Sequence, residues 1–147
     1  MLTALLNFAM KVIQFVVEGQ PVPKGRPRFS QKTGRGYTPA KTRKAEEAIA
    51  KAYKAKYKTK MFPAGIPLEL VCVFYLQMPK SWSKEKAEQM EGGYPLKTPD
   101  CDNLTKCAQD ALNGVAYADD KFIAVIHAQK RWSKYPRTEI TIKDITQ

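Results

Sequence analysis

An almost unbroken apolar run at residues 67–78 constrains the fold of this chain more than any other segment. The run reads Pro-Leu-Glu-Leu-Val-Cys-Val-Phe-Tyr-Leu-Gln-Met, which is typical of a strand buried at the centre of a sheet. The segment at 11–18, rich in β-branched residues, predicts a further strand. Two more strands are predicted at 122–131 and 138–143. We therefore expect a sheet with the 67–78 strand inside it.

Helices are predicted between these strands. The first covers residues 40–60, where apolar side chains recur at steps of three and four residues. A short helix at 83–90 is expected to be capped by its serine, and a later helix to be capped by Asp102 or Asn103. This order of elements predicts an α+β fold, a single compact domain over residues 1–147 with a mixed sheet flanked by helices.

The charge of the chain restricts its partners. Its 25 Lys and Arg against 14 Asp and Glu give a formal net charge of +11 at pH 7, which favours nucleic acid or an anionic membrane. No run reaches the roughly 18 apolar residues that span a bilayer. The mildly apolar segment 1–10 indicates a leader into the first strand and not a secretion signal. The alanine-rich stripe of the 40–60 helix offers few membrane anchors, so we expect nucleic acid and no membrane.

Cysteine and histidine usage excludes two further classes of protein. Cys72, Cys101 and Cys107 form no Cys-x-x-Cys pair, and His127 is the only histidine in the sequence. A zinc site needs more soft ligands than these, and an odd number of cysteines argues against a disulfide framework. Reduced thiols and a cytoplasmic location are therefore expected.

Basic residues concentrate in the Gly- and Pro-rich loop 19–40 and in the helix that follows it. A loop of this length in a small domain is usually functional or disordered. Cations interleaved with Phe29 and Tyr37 suit phosphate contacts with occasional stacking on bases, although a solvated loop and a merely soluble helix are alternatives. The candidate nucleic-acid-binding residues are Lys24, Arg26, Arg28, Lys32, Arg35, Lys41, Arg43 and Lys44.

Aspartates gather in one short segment of this basic chain, around a lysine. They are Asp100, Asp102, Asp110, Asp119 and Asp120. If the first stretch is extended, Asp100 and Asp102 point the same way, while Lys106 shares a helix face with Asp102. A turn after the helix would allow Asp119 or Asp120 to return to the same place. Carboxylate oxygens are the ligands that Mg²⁺ prefers, so the pattern favours a metal site that holds a phosphate.

Each piece of this pattern also has a plainer interpretation. An Asp before a helix is usually an N-cap, and an Asp-Asp doublet in a turn is usually solvated. Asp102 and Lys106 alone are consistent with a surface ion pair of little consequence. The pattern by itself therefore leaves both a metal site and a set of caps and surface charges open.

At these residues the chain resembles the RusA family of Holliday junction resolvases. The motif Asp-x-Asp-Asn-Leu-x-Lys begins at Asp100, Asp-Ala-Leu-Asn-Gly begins at Asp110, and the Asp-Asp doublet stands about five residues later. The upstream Pro-x-Pro-Lys-Gly-Arg-Pro-Arg and Arg-Gly-Tyr-Thr-Pro segments, followed by a basic helix, are also similar to that family. The resemblance extends from about residue 13 to about residue 143.

The resemblance implies a homodimeric endonuclease that depends on Mg²⁺, with Mn²⁺ as a substitute. Such an enzyme cuts four-way DNA junctions by paired symmetric nicks, in recombination, repair or phage DNA processing. Lys106 would be the catalytic lysine, and Asp110 either a helix-surface residue or a support for the metal ligands. The ligands implied by the resemblance are Asp100, Asp102 and Asp120, with Asp119 as the other candidate from the doublet.

One position departs from the family pattern. Aromatic residues often precede the first aspartate there, whereas this chain has Thr98 and Pro99; Tyr94 is the candidate to stack on DNA instead. For the dimer, Trp82 and Trp132 are candidate interface residues or plain packing. Two other functions stay open: a less selective metal-dependent nuclease on branched or single-stranded nucleic acid, and a non-catalytic basic DNA-binding protein.

Overall fold

The structure of the protein is a computed structural model that describes residues 10–147. The leader predicted at 1–10 lies, apart from Met10, outside the described residues. The elements in chain order are β1 Val12–Glu18, β2 Arg28–Phe29, β3 Gly36–Tyr37, α1 Ala40–Tyr57, β4 Leu68–Gln77, α2 Lys84–Met90, α3 Cys101–Leu112, a 3₁₀ turn Asp120–Phe122, β5 Ile123–Ser133 and β6 Arg137–Asp144. The predicted α+β class and order of elements are confirmed.

The main sheet is mixed, and β4 lies inside it as predicted. Its strand order is β1-β6-β4-β5. Strand β6 runs antiparallel to both β1 and β4, whereas β5 runs parallel to β4. A parallel pair needs a long crossover connection. Here that crossover contains α2, α3 and the 3₁₀ turn. The whole acidic segment is therefore part of the connection between β4 and β5.

The core lies between one face of the sheet and two helices. Helix α1 packs against α3 and β1, with Ile49 and Tyr53 buried on its inner side. Leu104 and Leu112 are the buried counterparts on α3. Alternate residues of β4 bury their side chains toward these helices, because strand side chains alternate between faces. This packing fixes α3, and with it the acidic side chains on its outer side.

Two helix boundaries differ from the predictions. Helix α1 ends at Tyr57 and not at 60, because Lys58 takes a positive φ of 59° that leaves the helical region. The N-cap of α3 is Asp100; the prediction of Asp102 or Asn103 is wrong. The loop 19–40 also contains the β2–β3 hairpin, which forms a separate two-stranded sheet.

The two tryptophans pack against each other, and Cys72 and Cys107 are buried. Trp132 is buried, and its ring meets that of Trp82 edge to face at 5.2 Å. All three cysteines are free, and burial raises the thiol pKa of Cys72 to about 12 and of Cys107 to about 11. No helix in the part of the chain from residue 10 onward is long and apolar enough to cross a membrane.

Candidate active site

The start of α3 fixes the backbone of the acidic segment. Asp100 keeps an extended conformation, with φ −74° and ψ 144°, and its carbonyl accepts a hydrogen bond from the Leu104 amide at 3.1 Å. The preceding loop is held from β5. There the Lys130 ammonium donates to the carbonyls of Lys97 at 2.7 Å and Pro99 at 3.0 Å. The backbone that carries Asp100 is therefore anchored on both sides.

Asp102 lies inside the helix, so the stretch from Asp100 to Asp102 is not extended, and the condition for their side chains to point the same way as in a strand is not met. The helix already begins at Cys101, and successive side chains on a helix are turned by about 100°. Asp100 lines a cleft of about 440 Å³ together with Lys24 and Lys41. Asp102 lines a separate cleft of about 340 Å³ that reaches to β5. Both clefts therefore lie beside the start of α3.

Lys106 lies beside two carboxylates. Its Nζ is 3.0 Å from Asp110 Oδ1, one turn further along α3, and 3.9 Å from Asp120 Oδ2 on the 3₁₀ turn. The chain does return to the helix, and Asp120 is the member of the doublet that faces Lys106. Asp119 instead accepts a hydrogen bond from the Lys121 amide at 2.8 Å. That bond holds the pKa of Asp119 below its ordinary value.

Lys24 extends this series of charges to α1. Its Nζ is 3.0 Å from Asp110 Oδ2 and 2.5 Å from Glu46 Oε1. Asp110 therefore binds a different lysine with each of its two oxygens. We call these five side chains of alternating sign the ion-pair chain: Glu46, Lys24, Asp110, Lys106 and Asp120. It connects α1, the loop after β1, α3 and the 3₁₀ turn.

Burial and pairing act in opposite directions on the middle of the ion-pair chain. Burial disfavours the charged form of Asp110, but hydrogen bonds from Lys106 and Lys24 outweigh it and hold the pKa of Asp110 below its ordinary value. Burial also disfavours the charged form of Lys24, yet its bonds to Glu46 and Asp110 raise the pKa of Lys24. Both groups are therefore ionised near neutral pH, and opposite charge holds them together.

The backbone at Lys24 is locked against both helices. The Lys24 amide donates to the Asn103 carbonyl at 2.9 Å, and the Gly25 amide donates to Thr42 Oγ1 at 2.9 Å. Gly25 permits this close approach, because a Cβ at that position would lie 2.7 Å from Thr42 Oγ1. Backbone contacts as well as ion pairs therefore set the position of the Lys24 ammonium.

The acidic residues fit a hard divalent cation in their chemistry. The Asp100 carboxylate makes no capping hydrogen bond, so its oxygens are available. Within residues 10–147, no three carboxylate, thiol or imidazole groups are gathered closely enough to hold a metal ion. Mg²⁺ is usually bound through one or two carboxylates, with water and substrate phosphate as further ligands. The arrangement therefore fits a site of that kind, without a preassembled cage.

The candidate nucleic-acid-binding residues divide into two groups. Lys24 belongs to the ion-pair chain, with 23% of its side chain exposed. The others are exposed: Arg26, Arg28, Lys32, Arg35, Lys41, Arg43 and Lys44. Arg43 lies 4.0 Å from Glu47; for the other six, no ion pair occurs among the described residues. Phe29 and Tyr37 are exposed on the hairpin between these cations.

Two features of the site were not predicted from the sequence. Glu46 anchors Lys24, and the available signal was the pair Glu46 and Glu47 within an otherwise cationic helix. Arg131 stacks its guanidinium 4.1 Å from the centre of the Tyr94 ring and donates to the Gly92 carbonyl at 2.8 Å. These contacts hold the Tyr94 ring at the surface in the loop that leads to Asp100.

Known proteins match this chain over nearly all of these elements. The family described as Endodeoxyribonuclease RusA matches residues 18–143. An uncharacterized protein of Bacillus subtilis (strain 168), YqaN, is 34% identical over 143 residues, which make up 93% of this chain and 99% of that protein. The family match includes both the basic loop and the acidic segment.

Proposed function

The chain belongs to the RusA family of endodeoxyribonucleases, and from that premise we propose that it is a Mg²⁺-dependent, structure-selective endonuclease. Its substrate is the four-way DNA junction, which it resolves by paired symmetric nicks. The observation that supports this most directly is the position of Lys106, whose ammonium lies between Asp110 and Asp120 on the helix that Asp100 caps. A polyanionic substrate also agrees with the net charge of +11.

We propose Asp100, Asp102 and Asp120 as the residues that hold the metal ion. A bound Mg²⁺ would supply Lewis acidity toward the scissile phosphate and lower the pKa of a bound water. The carboxylates would otherwise repel the phosphate, so their charge calls for a cation before DNA approaches. Mn²⁺ would serve as a substitute, since it accepts the same hard oxygen ligands.

Lys106 would act on the reacting phosphate. Its ammonium is positioned by carboxylates on two sides and 53% of its side chain is exposed, so it can reach a phosphate at the surface. A cation at this position offsets the negative charge that builds on the phosphate oxygens in the transition state, or orients the attacking water. The group is fixed before the reaction and needs little reorganisation during it.

Binding would use the exposed cations of the hairpin and of α1. Arginine and lysine side chains on separate elements can follow the phosphates of more than one arm of a junction. Tyr94, held by Arg131 on the loop before Asp100, is the candidate to stack on a base near the branch point. Tyr94 lies in the loop that leads into α3, the helix that carries Lys106.

A two-fold symmetric junction suits a homodimer in which each subunit presents one site to one of two equivalent strands. We therefore propose that residues 1–147 act as a single domain, as a dimer in the cytoplasm. Sedimentation of the free protein and of its junction complex would test this assembly. A monomer bound to each junction would contradict it.

The deciding experiment is cleavage of a labelled synthetic four-way junction and of a matched linear duplex. Each is incubated with Mg²⁺, with Mn²⁺ and with EDTA, and with the Asp102→Asn protein as the matched control. Symmetric nicks in the junction that need both metal and Asp102 would support the proposal. Equal cleavage of the duplex would indicate a less selective nuclease. Tight binding without nicks would indicate a non-catalytic DNA-binding protein whose aspartates are caps.

A further inference from the structure

We infer that Asp110 and Lys24 are positioning residues for Lys106, and that Lys24 is not a phosphate contact. The inference deepens the proposed function and rests on it for the role of Lys106. It assigns Lys24 a task different from that of the other basic residues of its loop. The observations that carry it are the distances along the ion-pair chain and the backbone contacts at Lys24.

Asp110 is the residue that both lysines share. One oxygen lies 3.0 Å from Lys106 and the other lies 3.0 Å from Lys24. Asp110 is less exposed than Lys106, with 22% against 53% of the side chain accessible. The more enclosed carboxylate therefore determines where the more exposed ammonium rests. Without Asp110, two lysines would face each other across the gap and would repel.

Lys24 holds Asp110 from the other side. Its ammonium is occupied by Asp110 and Glu46, which leaves less of its charge for a phosphate. Its backbone amide is bound to Asn103 on α3, so the residue cannot follow a moving loop toward DNA without loss of that bond. Arg26 and Arg28, two and four residues later, are exposed and suit phosphate binding far better.

The two roles predict different effects of mutation on binding. A phosphate contact contributes to the salt dependence of binding, so its loss reduces the slope of log K against log salt by about 1. A positioning residue leaves that slope unchanged and lowers kcat. We therefore compare Lys24→Met with Lys44→Met, an exposed lysine of α1, by junction binding in EDTA across a salt series and by single-turnover cleavage.

We expect Lys24→Met to keep the wild-type slope and affinity while kcat falls about 10-fold to 100-fold, the size of effect typical when a supporting residue of an active site is lost. Lys44→Met should instead show weaker binding and a smaller slope, as expected for the loss of a phosphate contact. Lys24→Arg keeps the charge but does not fit a site built for an ammonium, so its kcat should fall as well. A Lys24→Met protein with a smaller slope and wild-type kcat would overturn the inference.

Asp110→Asn tests the positioning role of Asp110. Its kcat should fall with binding in EDTA unchanged or tighter, and adding Lys24→Met to it should cause little further loss, because the two residues act through one contact. Without metal, Lys106 should be severalfold more reactive toward an amine-acylating reagent in Asp110→Asn than in the wild type, as measured by mass spectrometry. Equal reactivity in wild type and Asp110→Asn would contradict the inference.

These readouts separate two kinds of failure. If the wild-type protein cuts no junction with Mg²⁺ or Mn²⁺, the proposed function is wrong. The salt slopes and the Lys106 reactivity are measured without metal, so they still decide whether Lys24 and Asp110 position Lys106. Melting temperatures of Lys24→Met and Asp110→Asn, compared with wild type, identify any loss of activity that comes from unfolding.

Discussion

The ion-pair chain and the β2–β3 hairpin carry charge in opposite ways. In the ion-pair chain, each cation is within 4.0 Å of a carboxylate from a different part of the fold. On the hairpin, Arg28, Lys32 and Arg35 have no such partner among the described residues. Charges that are paired inside the protein fix geometry, whereas charges left without a partner are available to an external polyanion. The comparison implies that turnover and affinity are separable by mutation.

The largest effect should come from Asp102→Asn, which removes a proposed metal ligand. Cleavage should fall by about 10³-fold or more, because a metal ion contributes several kcal/mol of charge stabilisation in the transition state. Binding in EDTA should be unchanged or tighter, since a negative charge near phosphate is lost. Single-turnover cleavage and a binding titration measure the two quantities, and a variant that still cuts would remove Asp102 from the site.

Lys106→Ala should separate turnover from affinity nearly as strongly. We expect kcat to fall by about 10²- to 10³-fold, the range found when a preorganised charge-stabilising group is removed, with a small change in affinity. Comparison of kcat and KM with the wild-type values shows whether Lys106 acts on turnover or on binding. Equal losses in both would place Lys106 with the hairpin cations, and the contrast between the two regions would fail.

Truncation of one large side chain in each region should sharpen the contrast in stability. Leu104 is buried on α3 and Phe29 is 76% exposed on the hairpin. Leu104→Ala should lower the free energy of unfolding by about 2–5 kcal/mol, whereas Phe29→Ala should change it by no more than about 0.5 kcal/mol. Urea unfolding of both variants measures this. A large loss for Phe29→Ala would mean that the hairpin packs against something beyond the contacts described.

Neutralisation of the hairpin should act on binding alone. Arg28→Gln with Arg35→Gln should weaken junction binding by about 10-fold at moderate salt and reduce the salt slope by about 2, one for each phosphate contact. At saturating DNA, kcat should stay at its wild-type value. Fluorescence titrations across a salt series test the first statement, and a drop in kcat would show that the hairpin also shapes the site.

The smallest effect should be the acid dependence of stability at Asp110. Its folded pKa is lowered from 3.8 by Lys106 and Lys24 against the opposing effect of burial. A lowered folded pKa adds stability above the unfolded value, and this stability is lost as pH falls through the folded value. The difference in unfolding free energy between wild type and Asp110→Asn should therefore be constant from about pH 7 to 5 and shrink below about pH 4. A difference that persists at acid pH would contradict the ion pairing.

Periodicity predicts the elements of this fold well, because β4 and α3 have strong patterns. The apolar run of β4 and the buried stripe of α3 appear in the structure where the sequence predicts them. The N-cap predicted for α3 lies two or three residues after the observed one, Asp100. An Asp at position 100 or 102 has the same capping chemistry, and the Asp100 side chain makes no capping hydrogen bond that would mark the boundary.

The site is less readable from sequence, since it depends on contacts between distant segments. The Lys106–Asp110 pair is local, with a spacing of four residues on a helix. Glu46 and Lys24 come from 60 or more residues upstream of Lys106, and no periodicity links them to α3. Lys24 lies in a run of cations, so its composition suggested DNA contact, whereas the fold places it against two carboxylates.

The parallel pairing of β4 with β5 has a consequence for how the protein folds. Helix α3 and Asp120 lie in the connection between these strands, so neither is held in place until the connection closes. Closing a long connection costs chain entropy before its contacts form, which makes such pairings slow. The basic hairpin is local in sequence and needs no such closure. The surroundings of Lys106 would therefore be among the last parts of the protein to assemble.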